Sequence, residues 1–120
     1  MEAPGGRLEQ AATCFNESPA GRTVAGLTHS LGRPSASVGV AAGSASEVRI
    51  TVAWELCWYQ WGVDLSGEQP RIVEIAKGED VEQIDRSARQ WNASVGKGGQ
   101  LVFGAAGRQP VRRTFWLRRR

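Results

Sequence analysis

Few side chains in this sequence are equipped for acid, base, nucleophilic or metal chemistry: one histidine, His29, two cysteines, Cys14 and Cys57, and twelve carboxylates. Imidazole catalysis would fall on His29 alone, which lies in a stretch rich in Gly, Ser and Pro, where an exposed histidine is the simpler reading. A structural zinc site asks for three or four ligands at close spacing. With 42 residues between Cys14 and Cys57 and no second histidine, no metal or other cofactor is expected. Cys57, inside an alternating stretch, fits a small buried hydrophobe better than a nucleophile, which needs a neighbouring cation or base to lower its pKa.

Glu55 is the carboxylate with the most chemical interest. It falls in the middle of the most regular alternating segment, where a charge is costly unless paired. An arginine from a neighbouring strand pairing across the sheet accounts for it without catalysis. An enzyme using Glu55 or His29 therefore stands third among the functional readings. Glu79, Asp80, Glu82 and Asp85 suit the positive end of a helix. The run Gly96-Lys97-Gly98-Gly99 is not a phosphate-binding loop, because Lys97 is followed by Gly98 rather than Ser or Thr, and the run leaves a helical pattern instead of entering one. No Ser/His/Asp or Cys/His arrangement is recognisable.

Binding chemistry is better represented. Five tryptophans in 120 residues supply large apolar area. Trp54, Trp58 and Trp91 are explained as core between a sheet and a helix. Tyr59 and Trp61 alternate onto the opposite strand face beside a loop, where aromatics pack under the N-terminal arm, line a ligand cleft or form a partner surface, and Trp and Tyr are enriched at such surfaces. The net charge of +3 is the sum of two unlike parts. Residues 1–107 carry 9 Lys+Arg against 12 acids, a balance of −3, while residues 108–120 carry six arginines and no acid, a balance of +6. Arg112, Arg118, Arg119 and Arg120 with Trp116 join phosphate-neutralising charge to a stacking platform, which makes nucleic-acid binding the alternative reading. The acidic body opposes a broad polyanion footprint, so that reading stands on the C-terminal end alone.

These residues need elements to hold them. Residues 1–21 read as a flexible N-terminal arm, although Leu8, Ala12 and Phe15 have the spacing of a short docking helix. Weak alternation predicts short strands over 23–31 and 37–42. Between 48 and 61 the alternation is strong: Val48, Ile50, Val52, Trp54, Leu56 and Trp58 fall on one face of one long strand, with Arg49, Thr51, Ala53, Glu55 and Cys57 on the other. Residues 71–76 read as a strand pairing back on it. The period then changes, and Val81, Ile84, Ala88, Trp91 and Val95 recur at helical spacing, which predicts an amphipathic helix over about 79–95. Strands over 100–105 and 110–118 complete the chain.

The expected architecture is α+β: one antiparallel sheet of four to six strands with a single amphipathic helix packed on one face, residues 22–120 forming one domain with an Arg-rich C-terminal end. No apolar run approaches the length of a membrane span and no secretory leader is visible, so a cytoplasmic protein is expected and the sequons at Asn16 and Asn92 carry no weight as glycan sites. The function that fits best is a small non-enzymatic binding or protein-interaction module, homodimeric in one form, meeting its partner through the Tyr59/Trp61 end of the long strand and the last hairpin. Candidate binding residues are Tyr59, Trp61, Glu55, Trp116, Arg112, Arg118, Arg119 and Arg120.

Overall fold

The computed structural model describes residues 6–41, 43, 44, 46–96 and 98–103. Two helices, α1 (Gly6–Asn16) and α2 (Pro19–Leu31), precede six strands: β1 (Ser35–Val40), β2 (Glu47–Ala53), β3 (Trp58–Asp64), β4 (Arg71–Gly78), β5 (Ala93–Val95) and β6 (Leu101–Phe103). The strands form one antiparallel sheet in the order β4-β3-β2-β1-β5-β6. The class is therefore α+β, with helix packed on sheet. The helical layer, however, comes from the N-terminal third rather than from 79–95.

A short helix takes the place of the arm over most of 1–21. Leu8, Ala11, Ala12 and Phe15 recur along one stripe of α1, and Phe15 is fully buried. The expected strand at 23–31 is α2. Ser18 caps it by accepting a hydrogen bond from the Ala20 N–H (3.1 Å), and Pro19 occupies the first turn, where its missing N–H costs nothing. Gly32, at φ +98°, ends the helix by donating its N–H to the Thr28 carbonyl (2.9 Å). Ala20, Val24, Leu27 and Leu31 follow at intervals of four, three and four, a helical stripe that weak alternation concealed.

The long strand of 48–61 is two strands. Residues Trp54 to Cys57 form a tight turn closed by the Trp54 N–H donating to the Cys57 carbonyl (2.8 Å). The turn changes the phase of everything after it. Cross-strand partners are Val48↔Val63, Ile50↔Trp61 and Val52↔Tyr59, so Tyr59, Trp61 and Val63 share a face with Val48, Ile50 and Val52. That face, with Ala36, Val38, Trp54, Val95 and Leu101, packs under α1 and α2 as the main core. Trp58, opposite Ala53, goes to the other face.

The helix expected over 79–95 is absent. Asp80 opens a 3-10 turn, Val81–Gln83, by accepting from the Glu82 N–H (3.0 Å), while the Gln83 side chain reaches back to the Asp80 N–H (3.3 Å). Asp85 opens a second turn, Arg86–Ala88, by accepting from the Ser87 N–H (3.1 Å). Between them Ile84 is extended (φ −82°, ψ 134°), so each aspartate starts a fresh turn and no α-helix propagates. The apolar spacing nevertheless does its work. Ile84 and Trp91 are buried on the second sheet face against Ala53 and Trp58, with Val81 and Ala88 beside them, and the Trp58 indole N–H donates to the Asp80 carbonyl (2.9 Å). Trp54 thus belongs to one core, and Trp58 with Trp91 to another.

Residue Gly99 has φ +84°, and a Cβ there would stand 2.5 Å from the Gly21 carbonyl oxygen and 2.8 Å from the Ala25 nitrogen; glycine lets the β5–β6 connection lie against α2. Strand β6 covers the start of the expected 100–105 strand. The expected 110–118 strand lies outside the described residues.

Candidate functional site

The aromatic residues expected to form a partner surface are internal. Phe15 meets Trp61 edge-to-face (centroids 5.1 Å, 82°), Trp61 stacks on Tyr59 (5.8 Å, 17°), and Tyr59 meets Trp54 edge-to-face (6.2 Å, 88°). Trp61 is 4% exposed and Tyr59 is half-buried. The physical reason is the Trp54–Cys57 turn, which carries both rings to the helix-covered face. The string ends at Lys77, whose ammonium lies 5.9 Å from the Tyr59 centroid.

Glu55 is exposed in the turn, not buried within a strand. His29 is exposed in the last turn of α2. Neither contributes to the two clefts below. Trp116, Arg112, Arg118, Arg119 and Arg120 lie outside the described residues. Burial first, and then the carboxylates of Glu17 and Glu79 respectively, push the thiols of Cys14 and Cys57 above their ordinary value of 9.0, which suits half-buried packing groups rather than nucleophiles.

A cleft of about 420 Å³ lies where β2, β3 and β4 meet their connecting loops, lined by Ser46, Glu47, Gly62, Asp64, Ser66 and Arg71 among others. A second, of about 310 Å³, opens on the same sheet face, the one away from α1 and α2, between Arg49, Gln60, Asp85 and Ser87. Their polar side chains are largely partnered within the protein. Arg49 meets Glu47 at 3.5 Å, and the Gln60 amide donates to the Thr51 hydroxyl (3.0 Å). Hydrogen bonds from Ser66, side chain and then backbone, lower the pKa of Asp64, with help from Arg71; hydrogen bonds from Ser87 lower that of Asp85, with help from Arg89 and Arg49. Such acids accept hydrogen bonds and are poor proton donors near neutrality. Among the described residues no group of three or more His, Cys, Asp or Glu is placed to hold a metal ion, and no helix is long and apolar enough to cross a membrane.

The two aspartates carry a pH prediction. A folded-state pKa below the ordinary 3.8 means that each contributes stability above that pH and loses it as pH falls through the lower folded value. In an acid titration followed by NMR, the Ser66 and Ser87 amide shifts move together with loss of the carboxylate, with midpoints below 3.8. Midpoints at or above that value would mean that these turns are not closed by the ionised side chains.

The remaining candidate is a sheet edge. Strand β4 is the outermost strand, eight residues long, with β3 on one side and no strand among the described residues on the other. Val73 (59% exposed) and Ile75 (41%) are on it. A bulge shifts its register on β3: Gln60 stands opposite Ala76 and Trp61 opposite Glu74, leaving Ile75 as the additional residue. As a result Ile72, Glu74 and Lys77, opposite Val63, Trp61 and Tyr59, share the helix-side face, while Val73, Ala76 and Gly78 share the other. Nothing in the alternation of 71–76 marks this strand as the edge, because that property belongs to strand order and not to local pattern. No family model matches the chain, and neither a curated protein nor a solved structure matches it.

Proposed function

We propose that the protein is a small non-enzymatic interaction module that takes up an extended polypeptide segment along β4. One observation carries this reading: among the described residues a full-length outermost strand has an open side, together with two exposed aliphatic side chains, Val73 and Ile75. Unpaired N–H and C=O groups along such an edge are a template for another strand, and the side chains that alternate above and below it supply selectivity. Charges at Arg71, Glu74 and Lys77, with the bulge, disfavour indiscriminate pairing and leave a patterned edge. The aromatic string supports the strand from behind, since the Lys77 ammonium lies over the Tyr59 ring and Trp61 lies opposite Glu74. Clefts with largely partnered polar side chains, and raised thiols, fit a binding role better than a catalytic one.

The test is positional. A photoreactive residue at Val73 is expected to crosslink to one defined segment, and that segment made as a peptide slows amide exchange in β4 by about tenfold or more while α2 is unchanged. The same photoreactive residue at Thr23, exposed on α2, is expected not to capture it. Equal capture at Val73 and Thr23, or a peptide that protects the helices and not β4, overturns the proposal.

A further inference from the structure

We infer that the segment received by β4 is β4 of a second copy of this chain, paired antiparallel in the register that sets Glu74 of one protomer opposite Lys77 of its partner. The inference rests on the edge reading above and names its occupant.

A two-fold axis through an antiparallel pair fixes the register by one number, the constant sum of the two opposed positions. Opposed residues must also lie on the same face. The bulge restricts which sums satisfy this along most of β4, because it places Glu74 and Lys77 on one face and Val73, Ala76 and Gly78 on the other. Two neighbouring registers satisfy it at six of the eight positions, more than any other, with Ile75 placed beside Gly62 on the Val73 face. In one, Ile72 stands opposite Lys77 and Arg71 opposite Gly78, which sets an ammonium against an aliphatic chain. In the other, Glu74 stands opposite Lys77 twice over, once on each side of the axis. The same register sets Val73 opposite Gly78 and Ile75 opposite Ala76, a large aliphatic group against a small residue at each position. The pairing of unlike charges on both sides of the axis therefore selects this alignment.

One feature of the protomer prepares this alignment. Lys77 is already directed by the Tyr59 ring at 5.9 Å, on the face that Glu74 occupies. Gly78 is glycine for an internal reason, since the Trp58 ring and the Gln83 side chain already stand where its Cβ would be. The exposed aliphatic side chains of β4 are thereby covered and two six-stranded sheets become continuous.

Charge reversal tests the register directly, with sedimentation or light scattering of the whole 120-residue chain as readout. The wild-type protein is a dimer that weakens with salt. E74K sets Lys against Lys, and K77E sets Glu against Glu, so each single variant raises the dissociation constant about tenfold or more. The double variant E74K/K77E regains the wild-type value. An equimolar mixture of the two single variants forms heterodimers, because both opposed pairs are again of unlike charge. Both positions are exposed and the variants keep the wild-type circular dichroism, which separates lost pairing from lost folding. A wild-type chain monomeric at about 1 mM overturns the inference, as do single variants that dimerise normally or a double variant that fails to recover. If the chain is monomeric while Val73 crosslinks to a segment of another protein, the second copy is excluded and the edge reading survives. If Val73 captures no segment either, both fall.

Discussion

Replacing Phe15 with Ala lowers the stability of the fold by about 3–5 kcal/mol, the cost of truncating a fully buried aromatic side chain. Phe15 is 0% exposed and joins α1 to the sheet through an edge-to-face contact with Trp61 at 5.1 Å. Its deletion removes that contact, worth about 0.5–1.5 kcal/mol beyond area, and leaves a void between Ala11, Ala12 and the strands. A domain of this size holds only about 5–15 kcal/mol in total, so the variant sits near the threshold of folding. Chemical unfolding followed by tryptophan fluorescence checks this, and Phe15→Leu, which refills most of the volume, recovers a large part of the loss. A loss below about 1 kcal/mol for Phe15→Ala would mean that α1 is not docked through this residue. Because Trp61 is covered by the same contact, the truncated variant also exposes it and binds apolar dyes.

The consequence for the aromatic string is instructive about what sequence pattern can carry. Alternation found β2 and β4, and the expectation of one antiparallel sheet under a helical layer agrees with the structure. It misplaced Tyr59 and Trp61 because Val48 to Trp58 alternate without interruption through a turn that contains no Gly, Pro, Asn or Asp. A period of two is blind to a reversal of direction when the turn residues, here Trp54 and Leu56, keep the rhythm. The error at 79–95 has the opposite origin. Spacings of three and four did identify side chains that face the sheet, but Asp80 and Asp85 both bind backbone N–H groups two residues ahead, and those local bonds divide the segment into separate turns. Burial was legible there, and backbone conformation was not. In the first third, small residues gave α1 and α2 too little apolar contrast to show their stripes, although Ser18-Pro19 before α2 and Gly32 after it are the capping signals that mark it. The outermost place of β4 among the described strands was beyond reach for a different reason: it is set by strand order and not by local pattern.

The segment that failed to become a helix is attached to the sheet by side chains, and Asn92 is the attachment with the largest expected effect. Its amide closes a two-way clip on one residue of β1, accepting from the Val38 N–H (2.8 Å) and donating to the Val38 carbonyl (2.9 Å). Strand β5 pairs with β1 only at Ala36↔Ala93, so Asn92 continues the ladder with a side chain where the backbone no longer can. Next to it the Gln90 N–H donates to the Ser37 hydroxyl (3.0 Å). Asn92→Ala leaves both polar groups of fully buried Val38 without this partner, at a cost of about 1–3 kcal/mol for each group left unsatisfied. Because Asn92 itself is half-buried, water recovers part of this, and a total loss of about 2–4 kcal/mol is expected in urea unfolding. Asn92→Asp keeps the acceptor for the Val38 N–H but turns a carboxylate oxygen toward the Val38 carbonyl, so it does not rescue stability, and the Val38 amide exchanges faster in both variants. Asn16 makes the same clip to Leu101, accepting at 2.7 Å and donating at 3.1 Å, from an exposed position where solvent competes and the loss is smaller. Both asparagines open a sequon, and in both the nitrogen to which a glycan would attach is already committed to a strand carbonyl. The two motifs are therefore fold-closing elements, and Asn16→Ala, which keeps Ser18 of its sequon, lowers stability in the same urea assay by less than Asn92→Ala does.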